Sequence, residues 1–93
     1  MAKSIMQDER KCFLCHTTQR LQRHHCIGGS NRKRADKDGL WVYLCVRHHT
    51  GDEGVHTTNT KTLRELKELA QTKWEETYGD REEFIKEYGR SYL

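Results

Sequence analysis

Every cysteine and histidine of the chain lies between residues 12 and 56. There are four cysteines and six histidines, and residues 57–93 contain neither type. Thiolate sulfur and imidazole nitrogen are the usual protein ligands of zinc. The clustering therefore predicts metal chemistry, and the ten residues that could take part are Cys12, Cys15, His16, His24, His25, Cys26, Cys45, His48, His49 and His56.

Two motifs have the ligand spacing of a zinc site. Cys12 and Cys15 are separated by two residues, and so are Cys45 and His48. Two intervening residues let one turn present both side chains to a single ion, so the four would form a closed, tetrahedral Cys3His site. A thioredoxin-like redox pair is the alternative, but the βαβ context expected around such a pair is missing. We predict a structural Zn²⁺ ion here.

Two adjacent histidine pairs add a second candidate site. His24 and His25 lie on a predicted strand, where neighbouring side chains point to opposite faces. His49 directly follows the last zinc ligand, and His56 can return to it after a glycine-containing turn. His24, His49 and His56 would then form an open three-imidazole site for a catalytic divalent metal such as Mg²⁺, Mn²⁺, Ni²⁺ or Zn²⁺. His25 stays unligated, which suits a general base near neutral pH; the alternative is that some of these histidines are ordinary surface or core residues.

Two of the ten residues are needed for neither site. Cys26 is expected to be a small buried apolar residue, since both metal sites are complete without it. His16 follows a zinc ligand in a turn and is expected near the surface. The sequence thus predicts one closed metal site and one open site with a histidine base beside it.

Basic residues are concentrated in the same half of the chain as the metal ligands. Residues 1–50 hold ten Lys/Arg and four Asp/Glu, a net charge of +6, whereas residues 51–93 hold seven and ten, a net of −3. Such cations could neutralise phosphates around a site, although a solvated basic surface explains the charge alone equally well. The residues that we expect to bind the backbone of a nucleic acid, with DNA as the partner, are Arg23, Arg32, Lys33 and Arg34.

Two short strands are expected to position these residues. Residues 20–27 predict a strand that leads into a Gly-Gly-Ser-Asn turn, and Leu40-Trp41-Val42-Tyr43-Leu44 is rich in β-forming residues. The two could pair as a hairpin, with residues 32–39 as a charged loop and zinc pinning the hairpin at its base. A short helical turn is expected from Val46, and Gly51 and Gly54 would end it.

From about residue 60 the apolar residues follow a helical period. Asn59 or Thr60 can cap this helix, Gly79 fits its end, and Asp80 with Glu83 predicts a capping box at the start of a second helix. We predict that this third of the chain packs against the core and carries no chemistry. The residues expected to form its two apolar faces are Leu63, Leu66, Ala70, Trp74 and Tyr78, then Phe84, Ile85 and Tyr88.

Length and composition predict one small domain. The chain has 93 residues, of which 33% are hydrophobic, and chains this short often need a metal to supplement burial. No apolar run is long enough to span a bilayer, and no secretory leader is apparent, so we expect a cytoplasmic protein without membrane contact. The predicted fold class is α+β, with a zinc-stapled β-hairpin and helix over residues 10–57 and packing helices over residues 58–93.

The order of the motifs resembles that of the HNH (ββα-metal) endonuclease superfamily, and more closely that of small phage and prophage HNH-like proteins with a zinc knuckle. The resemblance implies a hairpin and a helix around one divalent metal and hydrolysis of DNA phosphodiesters. It also implies the cytoplasm of a bacterial host if the chain is phage-encoded. The similar stretches are Cys12-Phe-Leu-Cys15, residues 23–32 and 39–49, Gly54-Val-His56 and the closing Tyr-Gly-Arg-Ser-Tyr-Leu.

The resemblance also implies roles for individual residues. His25 matches the general base of the family and His24 the metal ligand that precedes it. His49 matches the metal-binding His after the zinc quartet of Cys12, Cys15, Cys45 and His48, and His56 is a looser match. The middle Asn of the HNH motif, which usually braces the loop, has no counterpart: Asp38 and Gly39 stand near its expected place.

The function predicted from these patterns is a metal-dependent endonuclease in which His25 activates water and the products carry a 5′ phosphate. A site this small would discriminate poorly between DNA sequences. Sequence specificity would therefore come from a homodimer or a protein partner. Two alternatives remain open. One is a zinc-stabilised module that binds nucleic acid and cuts nothing, and the other is a structural or protein-binding role of the helical third. The number of metal ions bound per chain separates the first alternative from a nuclease.

Overall fold

A hairpin of two antiparallel strands is the frame of the computed structural model, which describes residues 2–93. β1 covers Leu21–His25 and β2 covers Trp41–Cys45, so both predicted strands and their pairing are confirmed. Leu21 lies opposite Cys45 at the open end of the hairpin, and His25 lies opposite Trp41 at the connected end. This register separates the two candidate sites, because Cys45 ends one strand and His24 and His25 end the other.

The connection between the strands is helical, so the prediction of a charged loop over residues 32–39 is wrong. A 3-10 helix at Gly29–Asn31 leads into α1, Arg32–Asp38. The helix ends at Gly39, whose left-handed backbone (φ 78°) lets its N–H bond the carbonyls of Ala35 and Asp36. Among the residues of α1, Ala35 alone is buried, so the charged residues around it gave no apolar periodicity from which to predict a helix.

Three further helices follow the hairpin, and together with it they make a small α+β protein. They are α2 at Val46–His49, α3 at Thr60–Thr77 and α4 at Arg81–Tyr88. α2 begins directly after β2 and is a single turn, as the sequence predicted. In the described part of the chain, no helix has the length and apolar character needed to cross a membrane.

The predicted starts of α3 and α4 are confirmed, whereas the C-cap of α3 is Tyr78 and not the predicted Gly79. The Asn59 side chain accepts a hydrogen bond from the N–H of Thr62, which satisfies one of the unpaired donors of the first turn of α3. At α4 the Asp80 side chain accepts from the N–H of Glu83, and the Glu83 side chain accepts from the N–H of Asp80. These local hydrogen bonds fix the first turns of α3 and α4.

The apolar faces of the two helices are narrower than predicted. Phe84 and Tyr88 are buried, but Ile85 is 40% exposed and Tyr78 is 48% exposed. α4 has only eight residues and buries one face, and Ile85 lies about 100° around the helix from Phe84. Tyr78 follows the last residue of α3, and its hydroxyl donates to the carbonyl of Asp38 instead of packing in the core.

The core lies between the hairpin and helices α3 and α4. Its buried residues include Leu40, Val42 and Leu44 from the β2 region and Leu66, Ala70, Trp74 and Phe84 from the helices. Cys26 is 1% exposed and joins this core, as predicted for a residue outside both metal sites. β2 has buried residues on both of its faces, so the strand that ends at Cys45 is packed on both sides.

Candidate metal sites

The Cys3His residues come together at the open end of the hairpin. Cys12 and Cys15 lie in the turn before β1, Cys45 ends β2 and His48 lies in α2. Their ligand atoms all lie within 4.8 Å of one another. The Sγ of Cys45 is 3.2 Å from Nδ1 of His48 and 3.8 Å from Sγ of Cys15. This group can hold a metal ion such as zinc, with four ligands from three segments of the chain.

Backbone donors prepare one thiol of this group for a metal. Burial acts to raise the pKa of Cys12, but hydrogen bonds from the backbone N–H groups of Cys15, Cys45 and Leu14 outweigh it and lower the pKa to about 6. The thiolate is the form that binds metal. The burial of Cys45 instead raises its pKa, so its proton must be displaced when an ion binds.

The second group brings together His24, His49 and His56, which supply ligand atoms within 4.8 Å of one another. The three ring centroids are 4.8–5.4 Å apart. His24 is only 2% exposed, and both of its ring nitrogens are buried with no hydrogen-bond partner among residues 2–93. Such unpaired polar atoms are costly and rare, and a bound cation would give one of them a partner.

The protonation state of His24 also suits a metal ligand. Burial lowers its pKa to about 3, and the positive charges of His49, His56, His25 and Lys67 act in the same direction. Burial likewise lowers the pKa of His49. Neutral imidazole is the form that binds metal, so these two side chains are ready to do so without releasing a proton.

A sharp reversal after α2 returns His56 to this group. The N–H of Val55 bonds the carbonyl of His48, and the N–H of His56 bonds the carbonyl of His49, at 2.9 and 3.1 Å. The reversal needs Gly54, because a Cβ there would lie 2.7 Å from the carbonyl oxygen of His49. The chain can pass this close to α2 only without a side chain at that position.

Gln22 orients one of the three imidazoles, a role that the sequence did not reveal. Its Oε1 lies 2.7 Å from Nδ1 of His49. An amide oxygen only accepts, so Nδ1 carries the proton and Nε2 is left for a metal. A signal was present in the sequence, since Gln22 and His24 are two residues apart on β1 and share a face of the strand.

His25 belongs to neither ligand group of the described chain and has its own partners. Its Nε2 lies 3.0 Å from Oδ1 of Asp36, and Nε of Arg32 donates to its Nδ1 at 3.4 Å. A carboxylate accepts, so Nε2 carries the proton and Nδ1 has the lone pair. Arg32 and Asp36 are four residues apart on α1 and face the same way, so the helix and not a loop brings both to His25.

One cleft joins His25 to the three-histidine group. It has a volume of about 300 Å³, and Gly28, Gly29, Arg23 and Arg32 complete its lining. A neighbouring groove of about 660 Å³ is lined by Arg23, His25, Arg32, Lys33 and Asp36. Arg23 and Arg32 therefore line both the cleft and the groove, and Lys33 lines the groove.

Arg34, the fourth predicted nucleic-acid ligand, lies elsewhere. Its Nε is 3.2 Å from a carboxylate oxygen of Glu87, and its Nη1 donates to the carbonyl of the same residue. The side chain thus ties α1 to α4 and lines neither the cleft nor the neighbouring groove.

Comparison with known proteins adds nothing to this geometry. No family model matches the chain, and neither the curated proteins nor the solved structures compared with it gave a match. The functional interpretation therefore depends on the two ligand groups, the cleft beside the second group and the resemblance of the motifs.

Proposed function

We propose that the protein is a metal-dependent HNH-like endonuclease that hydrolyses DNA phosphodiester bonds. The observation that carries the proposal is that His25, which belongs to neither ligand group, lines the same cleft as His24, His49 and His56. A general base and a metal site must act on one phosphate, so they must share one cleft. In this interpretation β1, β2 and α2 form a ββα-metal core, which the Cys3His zinc holds together.

The three-histidine group would hold the catalytic metal. The unpaired nitrogens of buried His24 and the orientation of His49 by Gln22 support this assignment. When bound, a divalent ion supplies positive charge that stabilises the charge developing on the phosphate and on the leaving 3′ oxygen. Three protein ligands leave coordination positions for water and substrate, as is usual for catalytic and not structural sites.

His25 would take a proton from the attacking water. Nδ1 accepts the proton while the Nε2–H remains bonded to Asp36, whose carboxylate stabilises the imidazolium that forms. The water oxygen bonds to phosphorus as the bond to the 3′ oxygen breaks, so the products carry a 5′ phosphate and a 3′ hydroxyl. The leaving oxygen takes its proton from solvent.

Arg32 has to release His25 before this step. Its contact with Nδ1 is 3.4 Å long and therefore weak. A phosphate in the cleft would compete for the guanidinium, because hydrogen bonds between charged partners are stronger than those to a neutral ring. Substrate binding would thus free the base, while Arg23 and Lys33 hold neighbouring phosphates. Such contacts read no bases, so sequence preference would come from a homodimer or a protein partner.

The alternative is a zinc-stabilised module that binds nucleic acid without cutting it. The observation that favours it is that both ring nitrogens of His25 have partners in this structure. If Arg32 keeps its contact with Nδ1 when DNA is bound, His25 cannot act as a base.

A plasmid-nicking assay with Mg²⁺, Mn²⁺, Ni²⁺ or Zn²⁺ tests the proposal. His25→Ala should lower the rate by about 10² to 10⁴, the usual range for removal of a general base, while two metal ions per chain remain. Asp36→Asn keeps the shape of the side chain but removes the carboxylate, and it should slow nicking without changing metal content. His16→Asn is the matched control, because His16 is exposed and Asn tolerates its positive φ. Nicking by His25→Ala at the parental rate would show that His25 is not the base.

A further inference from the structure

A third cleft, in the helical part of the chain, is lined by three cations and by no acidic residue of the described chain. We call it the α3 groove. Its volume is about 410 Å³, and its walls are the first half of α3 and the segment after α4. Residues 51–93 carry a net charge of −3, so this concentration of cations runs against the local composition. The lining residues are Thr60, Leu63, Arg64, Lys67, Arg90 and Tyr92.

One aromatic ring holds two of the cations near each other. Lys67 Nζ lies 5.7 Å from the centroid of the Tyr92 ring, and Arg90 Cζ lies 4.8 Å from it. Contacts of this kind restrict long side chains without neutralising their charge. Arg64 adds a third cation, whose ion pair with Glu68 is 3.7 Å long and largely exposed, and which is therefore weak.

The segment after α4, which forms one wall of the groove, is hydrogen-bonded to a buried glutamine. Gln71 is fully buried in α3, and its Nε2 donates to the hydroxyl of Ser91 while its Oε1 accepts from the N–H of Tyr92. A buried amide with both ends bonded is costly to displace. The segment after α4 is therefore fixed against α3, and the spacing between Lys67 and Arg90 is set by the fold.

The groove lies close to the three-histidine group. Thr60, at the start of α3, lines the groove and lies four residues after His56 of the three-histidine group. The first turn of α3 has no acidic residue, so the positive end of the helix adds to the field of the cations. If one phosphate of a polyanion lay in the cleft beside the three-histidine group, its neighbouring phosphates could contact the α3 groove.

We propose that the α3 groove binds backbone phosphates of nucleic acid beside the metal cleft, with Lys67 and Arg90 as the main contacts. Naming DNA as the polyanion rests on the proposed function. The helical third would then bind substrate in addition to packing against the core, and substrate would contact both halves of the chain.

The salt dependence of DNA binding tests this inference. Binding of a fluorescent duplex is measured by anisotropy at several salt concentrations, in a zinc-loaded His25→Ala background that keeps the DNA intact. Lys67→Gln with Arg90→Gln should reduce the slope of log K against log salt by about two, since each lost phosphate contact removes about 0.9. Lys61→Gln with Lys73→Gln, the same charge change elsewhere on α3, should leave the slope unchanged.

A charge-conserving variant distinguishes the loss of phosphate contacts from a change in the structure of the groove. Lys67→Arg with Arg90→Lys should keep the parental slope, because phosphate contacts need the charges and not the individual side chains. Equal slopes for the two glutamine pairs, a loss of slope in the charge-conserving pair or no DNA binding at all would each overturn the inference. The nicking assay on the parent protein tests the proposed function separately. If the parent nicks plasmid but Lys67→Gln with Arg90→Gln leaves the salt slope unchanged, only the role of the groove is rejected. If the slope changes but the parent does not nick, only the nuclease is rejected.

Discussion

The two ligand groups differ in whether the protein completes the coordination of an ion. The Cys3His group offers four ligand atoms from three segments, and the three-histidine group offers three beside a cleft of about 300 Å³. Four ligands close a tetrahedral site, whereas three leave positions for water or substrate. One chain of 93 residues thus has one group that could close a tetrahedral site and another that would leave coordination positions open.

One residue of each group is shifted toward its metal-binding protonation state, and the two shifts have opposite causes. Backbone N–H groups lower the pKa of Cys12 to about 6 because they stabilise the thiolate, which is the charged form. Burial lowers the pKa of His24 to about 3 because it disfavours the imidazolium, which is also the charged form. Backbone N–H donors therefore favour the metal-binding form of Cys12, and burial favours the metal-binding form of His24.

The largest expected effect is the loss of the closed group. Cys45→Ala should leave the domain largely unfolded, because structural zinc in small domains contributes on the order of 10 kcal/mol or more of binding free energy. Far-UV circular dichroism and the zinc content of the purified protein measure this. Cys26→Ala is the matched control, since Cys26 is buried outside both groups and its variant should keep its zinc. A native protein with a Cys12–Cys15 disulfide and no zinc would contradict the prediction.

A smaller effect is expected from the residue that orients His49. Gln22→Ala should weaken metal binding at the three-histidine group by about 10- to 100-fold, the usual result of removing an oriented partner of a ligand. Calorimetric titration of zinc into protein that already holds one equivalent measures this affinity, and competition with a chelator for the first equivalent measures the affinity of the Cys3His group. Glu53→Gln is the comparison at the other group, where the carboxylate oxygen lies 3.7 Å from Nε2 of His48, too far for a hydrogen bond. Equal losses in the two variants would show that the groups do not differ in this respect.

The smallest effect is the loss of stability over the first pH unit below 6.5, measured with one equivalent of zinc bound. His24 has a folded pKa of about 3 against an ordinary value of 6.5, so below pH 6.5 the unfolded chain binds a proton that the folded chain does not. The free energy of unfolding should then fall by about 1.4 kcal/mol per pH unit as the pH drops from 6.5, and the contribution is fully present above that value.

His24→Phe isolates this contribution. Phe fills a similar volume and has no ring nitrogen to protonate, so the stability difference between parent and variant should change with pH below 6.5 and stay constant above it. Urea unfolding at a series of pH values measures the difference. A constant difference down to pH 5.5 would mean that His24 is protonated normally in the folded chain.

Local signals in the sequence were enough for most elements of the fold. The β-forming run around Trp41 and Tyr43 gave β2, and the Asp80–Glu83 pair gave the start of α4. α1 could not be foreseen, since its stability comes from Ala35 packing into the core and from Gly39 ending the helix. Ile85 was misplaced because apolarity does not show which face of a short helix meets the core.

The Cys3His group followed from the sequence because both of its ligand pairs have the short spacing of a zinc site, and His24, His49 and His56 were among the few remaining residues of the right type. The surroundings of the ligands depended on contacts between residues distant in sequence. Asp36 on α1 contacts His25 at the end of β1, and Lys67 of α3 and Arg90 of the segment after α4 both lie over the ring of Tyr92. Ligand identity is a property of side-chain type and spacing, whereas the partner of a base and the wall of a groove exist only once the chain has packed.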